Sequence, residues 1–258
     1  MQLVVLGSGT SVPHPARAAA AHWLQTSGGS LLLDCSAAAV HRMAQEGLDW
    51  VNLDAIWISH FHLDHVGGLA PFLFGTKYAP QMQTRRKPLA VYGPRGLGKL
   101  FRAFDWANDY GLAKQPFPFE IREVPPRSSF TPLPGLRGET FSTPHTGESL
   151  ALKLTDADGA TLVFTSDTGP ADALAEFARN VDLLFMECSF WRDKPVDTHL
   201  ELADAMRLAA RADPRRVLLA HLYPQWDGVD LAAEAQKLWP GETIAASDGL
   251  RLHISAGE

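Results

Sequence analysis

The chain has 258 residues, of which 46% are hydrophobic, and a formal net charge of −6 at pH 7, values ordinary for a globular protein with a large buried core. The acidic total argues against a general attraction to nucleic acid, and two cysteines, Cys35 and Cys188, exclude a disulfide scaffold. We expect no signal peptide, no membrane-spanning stretch and a cytoplasmic location, since no basic leader precedes the first apolar run.

The N-terminal half alternates short apolar runs with loops. In chain order we predict strands at residues 3–6, 31–33, 56–59 and 89–92, and helices at 37–46 and 66–78. Gly47 suits the left-handed position that often ends a helix. The proline-rich stretch 115–134 is expected to be irregular.

The C-terminal half continues the alternation. We predict strands at 150–155, 161–165, 183–186 and 217–220, helices at 170–180 and 230–239, and a final hairpin of 243–247 with 250–254. Thr198 and Glu201 have the spacing of a capping box, and the apolar face behind them predicts a helix that Asp213-Pro214 ends. The whole pattern favours a single α/β domain, residues 1–258, with helices outside packed sheets.

The chemically most informative segment is His60-Phe61-His62-Leu63-Asp64-His65, which follows a predicted buried strand. His145, Asp167 and His221 also follow apolar strands, so all seven polar side chains can project into one groove. Imidazole nitrogens and carboxylate oxygens are ligands of zinc and similar cations. Five histidines and two aspartates suffice for two cations, which would lower the pKa of a water to roughly 7 and so generate a hydroxide nucleophile.

This motif, followed in order by His145, Asp167 and His221, resembles the metallo-β-lactamase-fold hydrolases, and most of all their ribonuclease Z and phosphodiesterase branch. The resemblance covers almost the whole chain and implies a four-layer αββα sandwich with two divalent metal ions at one edge of the sheets. Zinc is the expected metal, and manganese or iron would also fit this donor set. The resemblance implies that His60, His62 and His145 bind one ion, that Asp64, His65 and His221 bind the other, and that Asp167 bridges them.

The same resemblance implies catalytic roles for three residues. Asp64 would act as general base, and His199 would protonate the leaving group while Glu187 orients it. A histidine beside a carboxylate suits the protonation of a departing alkoxide. Two alternatives stay open: His199 as an idle residue near a helix start, and Glu187 as the partner of an arginine. Asp34 is either a hydrogen-bond acceptor behind a metal ligand or a turn residue.

One stretch of the acidic chain is locally basic. Residues 66–104 contain no Asp or Glu but seven Lys and Arg residues, including Arg85-Arg86-Lys87. Because the stretch follows the metal motif, it could rim the groove and attract a phosphate. A solvated loop tip is the alternative reading.

The expected substrate depends on an insertion. Ribonuclease Z carries a long arm for transfer RNA between the residues that match His145 and Asp167, whereas only 21 residues, 146–166, separate them here. We therefore expect a small or nucleotide-type phosphodiester as substrate and no membrane partner. The alternatives are a transfer-RNA 3′ processing endonuclease that binds an RNA 3′ end, a thioesterase or β-lactam hydrolase with the same metal core, and a metal-binding domain without turnover. The resemblance also allows a homodimer.

Overall fold

The computed structural model describes residues 1–257 as two seven-stranded β-sheets with helices outside them. The strands are β1 (Gln2–Gly7), β2 (Ala21–Thr26), β3 (Gly29–Cys35), β4 (Ala55–Trp57), β5 (Leu89–Gly93), β6 (Phe119–Glu123), β7 (Ser129–Leu133), β8 (Leu136–Ser142), β9 (Leu150–Thr155), β10 (Thr161–Phe164), β11 (Leu183–Glu187), β12 (Arg216–Ala220), β13 (Glu242–Ala245) and β14 (Arg251–His253). The helices are α1 (Ala39–Gln45), α2 (Leu63–Val66), α3 (Leu69–Tyr78), α4 (Leu97–Trp106), α5 (Asp172–Phe177), α6 (Leu202–Ala212) and α7 (Leu231–Gln236).

The layers follow from strands that are buried on both faces. In β3, Leu31 and Leu33 face the core between the sheets, while Leu32 faces the core under the helices. Such strands are apolar at consecutive positions because neither face meets water. Helices α1 to α4 cover the first sheet and α5 to α7 cover the second. The predicted αββα sandwich is confirmed.

Parallel strands bring the chemical motifs to one edge. The first sheet has the order β14-β1-β2-β3-β4-β5-β6, with β3 to β6 parallel. The second has the order β13-β12-β11-β10-β9-β8-β7, with β10 to β13 parallel. The carboxyl ends of parallel strands share an edge, so the loops that follow β4, β10, β11 and β12 can form one site.

Several local predictions were wrong. The stretch 115–134 is not irregular, because it holds β6 and β7, the outermost strands of the two sheets. The final hairpin does not form: β13 pairs with β12, while β14 pairs with β1 in the other sheet. Strand β2 and helix α4 were not predicted.

Two helix starts also differ from the prediction. The helix expected at 66–78 begins earlier, as α2, and breaks at Gly67-Gly68 before α3. A Cβ at Gly68 would lie 2.0 Å from the carbonyl oxygen of Ser36, so this close approach requires glycine. The capping box at Thr198 is wrong, because α6 starts at Leu202 and Glu201 makes no capping side-chain bond.

None of the helices in residues 1–257 combines the length and apolar character that a bilayer crossing needs.

Candidate metal centre

The structure brings all seven predicted ligands to the common edge of the two sheets. His60 follows β4, His62 is the residue before α2, and Asp64 and His65 lie on α2. The remaining three follow strands of the second sheet: His145 after β8, Asp167 after β10 and His221 after β12. The first sheet therefore supplies four of these side chains and the second supplies three.

One group of donor atoms contains His60, His62, His145 and Asp167, and these atoms lie within 4.8 Å of one another. His62 Nδ1 is 3.0 Å from His145 Nε2. Asp167 Oδ2 is 3.7 Å from His60 Nε2 and 3.6 Å from His145 Nε2. The group has three imidazole nitrogens and one carboxylate oxygen around a common point.

A second group contains Asp64, His65 and His221, again with all donor atoms within 4.8 Å. Asp64 Oδ2 is 3.7 Å from His65 Nε2 and 3.4 Å from His221 Nε2. Asp167 Oδ1 is 3.3 Å from His65 Nε2 and 3.4 Å from His221 Nε2. Asp167 thus presents one oxygen to each group.

Several of these atoms lack a hydrogen-bond partner. Among residues 1–257, His60 Nε2, His65 Nε2 and Asp167 Oδ1 are buried and unpaired. An unpaired buried polar atom is costly, and native structures contain few of them. These three atoms belong to the two donor groups, and cations fit as their missing partners.

The protonation states of two predicted ligands, Asp167 and His60, suit cation binding. Burial alone would raise the pKa of Asp167, but the nearby His221, His65 and His60 outweigh it and hold the pKa well below its ordinary value. Burial, together with the charge of His65, lowers the pKa of His60 to about 2. Asp167 is therefore an ionised carboxylate and His60 a neutral imidazole, the forms in which these side chains bind metals.

Asp34 lies directly behind the centre. Its carboxylate accepts hydrogen bonds from the backbone N–H of Ser59 at 2.8 Å and from His65 Nδ1 at 2.7 Å. Of the two readings of Asp34, the structure supports the acceptor behind a predicted ligand. A carboxylate in this position fixes the ring orientation of the histidine.

Glu187, the last residue of β11, is the corresponding carboxylate of the second sheet. It accepts hydrogen bonds from His199 Nδ1 at 2.9 Å, from the Thr168 N–H at 2.7 Å and from the Leu200 N–H at 3.1 Å. These partners replace the arginine that was the alternative prediction. Burial alone would lower the pKa of His199, but its hydrogen bond with Glu187 and the charge of that carboxylate raise it. His199 therefore carries a proton more readily than an ordinary histidine.

Three of the eight non-glycine residues with a positive φ angle in residues 1–257 lie at this centre. Asp34, Ser166 and His221 have φ angles of 57°, 51° and 58°. Residues other than glycine rarely adopt this left-handed backbone conformation, and those that do are often found at functional sites. His221 belongs to a donor group, Asp34 contacts His65, and Ser166 contacts Asp34, so the surrounding structure holds the three in place.

The basic stretch divides between two places. Arg85 donates to the carbonyl oxygens of Leu53 and Pro88, and Lys87 pairs with Asp54 at 2.6 Å. These contacts lie before β4, at the opposite end of that strand from His60, so the triplet Arg85-Arg86-Lys87 does not rim the centre. Arg95 instead lines a cleft of about 430 Å³ with Glu148, which accepts a hydrogen bond from the Phe61 N–H.

Two serine hydroxyls at this centre, those of Ser59 and Ser189, were not predicted from the sequence. Ser59 directly precedes His60, and Ser189 follows Glu187 by two positions. Both are fully buried and contact ring nitrogens of His60 and His221. Their proximity in sequence to His60 and Glu187 was the only signal, and a nearby serine does not by itself predict a contact with a ligand.

A family model described as "Anti-Pycsar protein Apyc1" matches residues 1–239. The chain belongs to this family. It is 30% identical over 272 residues to the Uncharacterized protein ML1173 of Mycobacterium leprae (strain TN), covering 100% of this chain and 90% of that protein. It is 27% identical over 260 residues to the Probable metallo-hydrolase YhfI of Bacillus subtilis (strain 168), covering 96% and 98%.

Further comparisons agree with this assignment. A Ribonuclease Z of Ignicoccus hospitalis is 26% identical over 304 residues, covering 98% of each chain. The crystal structure of the metallo-beta-lactamase fold protein YhfI from Bacillus subtilis superposes with a TM-score of 0.83 at 25% identity, covering 97% of this chain and 98% of that one. The chain is a metal-dependent hydrolase of the metallo-β-lactamase fold, as predicted. Residues 146–166 form the β9–β10 hairpin without an additional arm.

Proposed function

We propose that this family member is a dinuclear metal-dependent phosphodiesterase that hydrolyses small or nucleotide-type phosphodiesters. One observation carries the proposal: Asp167 has one oxygen near each of the two donor groups, and His199, which is hydrogen-bonded to Glu187, lies beside them. The shared carboxylate supports two cations, and the histidine supports a leaving group that needs a proton. Relatives that carry the name Ribonuclease Z also point to phosphodiester chemistry.

The donor groups define the proposed metal ligands. His60, His62 and His145 would hold one ion, Asp64, His65 and His221 the other, and Asp167 would bridge them. Zinc fits this set of imidazoles and carboxylates best. When bound, the two ions supply a water of lowered pKa and a positive charge for the phosphate.

Asp64 is proposed as the general base. Burial alone would raise the pKa of Asp64, but the neighbouring His221 and His65 outweigh it and lower the pKa. The carboxylate is therefore ionised and can accept a proton. Its oxygen Oδ2 lies 3.4 Å from His221 Nε2, inside the second donor group.

His199 is proposed as the acid for the leaving group. Its Nδ1 is engaged by Glu187, so Nε2 is the atom that can deliver a proton. Its ring lies 4.8 Å from that of His145 and 5.4 Å from that of His221, centroid to centroid, which places it over both donor groups. Because the pKa of His199 is raised, the ring can hold its proton until the alkoxide departs.

Three observations support a small substrate. The transfer-RNA arm is absent, the net charge is −6, and the basic triplet lies away from the centre. The cleft of about 430 Å³ that Arg95 and Glu148 line has the size for a nucleotide and offers Arg95 as an anion contact. An RNA 3′ endonuclease is the second candidate, since several relatives are named Ribonuclease Z.

The zinc-loaded protein tests this proposal. We expect it to hydrolyse bis(p-nitrophenyl) phosphate and cyclic nucleotides, and to lose activity on chelation. Asp64→Ala should abolish hydrolysis while the fold stays intact. If the variant keeps most of the activity, or if the wild type turns over only thioesters or β-lactams, the assignment is wrong. RNA cleavage that outpaces that of small substrates and weakens steeply with salt would favour the second candidate.

A further inference from the structure

Two buried serines stand in equivalent places between a carboxylate and a histidine of the centre. We propose that Ser59 and Ser189 are positioning residues that fix the ring tautomers of His60 and His221, so that each ring presents an unprotonated Nε2 to the cations. The inference rests on the metal centre of the proposed function and not on its substrate.

The chain of contacts at Ser59 starts from Asp34. The Ser59 hydroxyl lies 2.9 Å from Asp34 Oδ2 and 3.0 Å from His60 Nδ1. A hydroxyl has one proton, and a carboxylate oxygen can only accept it, so Ser59 donates to Asp34. The Ser59 oxygen is then left to accept a proton from His60 Nδ1. The Ser166 hydroxyl, 2.7 Å from Ser59 Oγ and 3.3 Å from Asp34 Oδ2, can donate to either without changing this direction.

The other nitrogen of His60 agrees with that direction. His60 Nε2 is buried and has no hydrogen-bond partner, so a proton there would have no acceptor. A neutral imidazole has one proton to place between its two nitrogens. Nδ1 is the position at which that proton meets an acceptor, and Nε2 keeps its lone pair.

The contacts at Ser189 repeat the arrangement in the second sheet. Ser189 Oγ lies 2.5 Å from Glu187 Oε2 and 2.9 Å from His221 Nδ1. It is also 3.3 Å from His199 Nδ1, which has a shorter bond to Glu187 Oε1. Because the Ser189 hydroxyl donates its hydrogen bond to Glu187, the Ser189 oxygen is left to accept a hydrogen bond from His221 Nδ1. His221 Nε2 then faces Asp64 and Asp167, 3.4 Å from each.

Two of the other three predicted ligand rings, those of His65 and His145, show the same arrangement, whereas His62 turns Nδ1 towards the first donor group. His65 Nδ1 meets Asp34, and His145 Nδ1 lies 2.9 Å from the Thr198 carbonyl oxygen. Each of these rings therefore has its own acceptor on Nδ1 and turns Nε2 to the centre. Asp34 and Glu187 each contact one ring directly, and each is linked to a second ring through a serine hydroxyl. Both serines are fully buried, which leaves little chance for water to replace a deleted hydroxyl.

Ser59→Ala and Ser189→Ala test the proposal through zinc binding and ring tautomer, which need no turnover. Zinc affinity is measured by competition with a chromophoric chelator, stoichiometry by elemental analysis, and tautomer by imidazole NMR on the metal-free protein. We expect each variant to bind one of two zinc equivalents roughly 10- to 100-fold more weakly. The His221 signals should move towards a tautomer mixture in Ser189→Ala, and the His60 signals in Ser59→Ala.

Further variants separate this role from packing. Ser189→Thr keeps the hydroxyl and should retain zinc affinity, whereas Ser189→Cys keeps the volume, hydrogen-bonds weakly and should lose affinity like Ser189→Ala. Ser30→Ala is the matched control, because Ser30 is a buried serine whose hydroxyl contacts Asp54 and no histidine. If the alanine and cysteine variants bind two zinc ions with unchanged affinity and tautomer, the inference is overturned. A wild type that takes up no zinc would instead overturn the metal centre itself.

Discussion

Asp34 and Glu187 are both buried carboxylates behind the metal centre, one from each sheet, yet the histidines that they contact differ. Asp34 contacts His65 directly and reaches His60 through Ser59, and these two rings belong to different donor groups. Glu187 contacts His199 directly and reaches His221 through Ser189. The comparison suggests a division of labour. The first sheet orients ligands of both proposed ions, while the second links one ligand to the proposed acid.

Asp34→Asn should have the largest effect, because it disturbs both donor groups. An amide in place of Oδ2 would present N–H groups to His65 Nδ1 and to Ser59, which now donate to that oxygen. The rings would take the wrong tautomer, so we expect loss of both zinc equivalents and of hydrolysis for every substrate. Elemental analysis and a substrate panel measure this. Asp54→Asn is the control, since Asp54 accepts from the Ser30 N–H far from the centre. If the Asp34→Asn variant kept its full zinc content, Asp34 would not orient ligands of both ions, and the proposed difference from Glu187 would be wrong.

His199→Ala should lower the rate of hydrolysis without changing metal binding. It removes the proposed acid but no proposed ligand, so zinc content should stay the same. We expect substrates with alkyl leaving groups to slow by about 10²- to 10⁴-fold, and nitrophenyl substrates, whose leaving group needs no proton, to slow much less. The measurement is kcat for both substrate types. His41→Ala, which changes an exposed histidine of α1, should leave both rates unaltered. Equal losses on the two substrate types would rule out the acid role.

Glu187→Gln should give an intermediate result that sharpens the contrast with Asp34→Asn. An amide in place of Oε2 would force the Ser189 proton towards His221 Nδ1 and turn the proton of that ring to Nε2. Only the group that contains His221 is affected, so one zinc equivalent should bind roughly 10- to 100-fold more weakly while the other is unchanged. Competition titrations resolve the two equivalents. Equal weakening of both would mean that the two networks are not separable.

His22→Leu should change nothing at neutral pH. His22 packs edge-on against Phe164 and Phe185 without a carboxylate partner, and burial lowers its pKa to about 3. Its unfolded pKa is near 6.5, so the unfolded chain takes up a proton that the folded state refuses, and stability falls as pH drops from 6.5 towards 3. The slope from this ring is about 1.4 kcal/mol per pH unit. Urea unfolding between pH 7 and 4 should show a shallower loss for the variant. Identical slopes would indicate that His22 is protonated in the fold.

The sequence predicted what is local and missed what depends on distant parts of the chain. Strands such as β3 and β11 were predicted because burial on both faces makes them continuously apolar. Strands β6 and β7 were missed because they lie at sheet edges, where charged residues and proline are tolerated. The turn signal at Asp248-Gly249 was real, but a turn does not reveal which sheet each following strand joins.

The same division applies to the centre. The motif at residues 60–65 predicted four donor side chains, and the other three were predicted because each follows an apolar strand. The resemblance to known hydrolases supplied their division between two ions. The structure brings all seven together, whereas their roles as ligands stay proposals. Ser59 and Ser189 could not be predicted, because their meaning depends on Asp34 and Glu187 arriving from other strands. The single-domain organisation and the homodimer also stay predictions.

The left-handed backbones of Asp34, Ser166 and His221 carry a consequence for engineering. Glycine would relax the backbone at all three positions, so a search that aims only to remove backbone strain would choose it there. Such variants would give up an imidazole, a carboxylate or a hydroxyl at the metal centre, and Asp34→Gly would also leave the buried donors of Ser59 and His65 without their acceptor. Screens for robustness in this fold should therefore select for metal retention alongside melting.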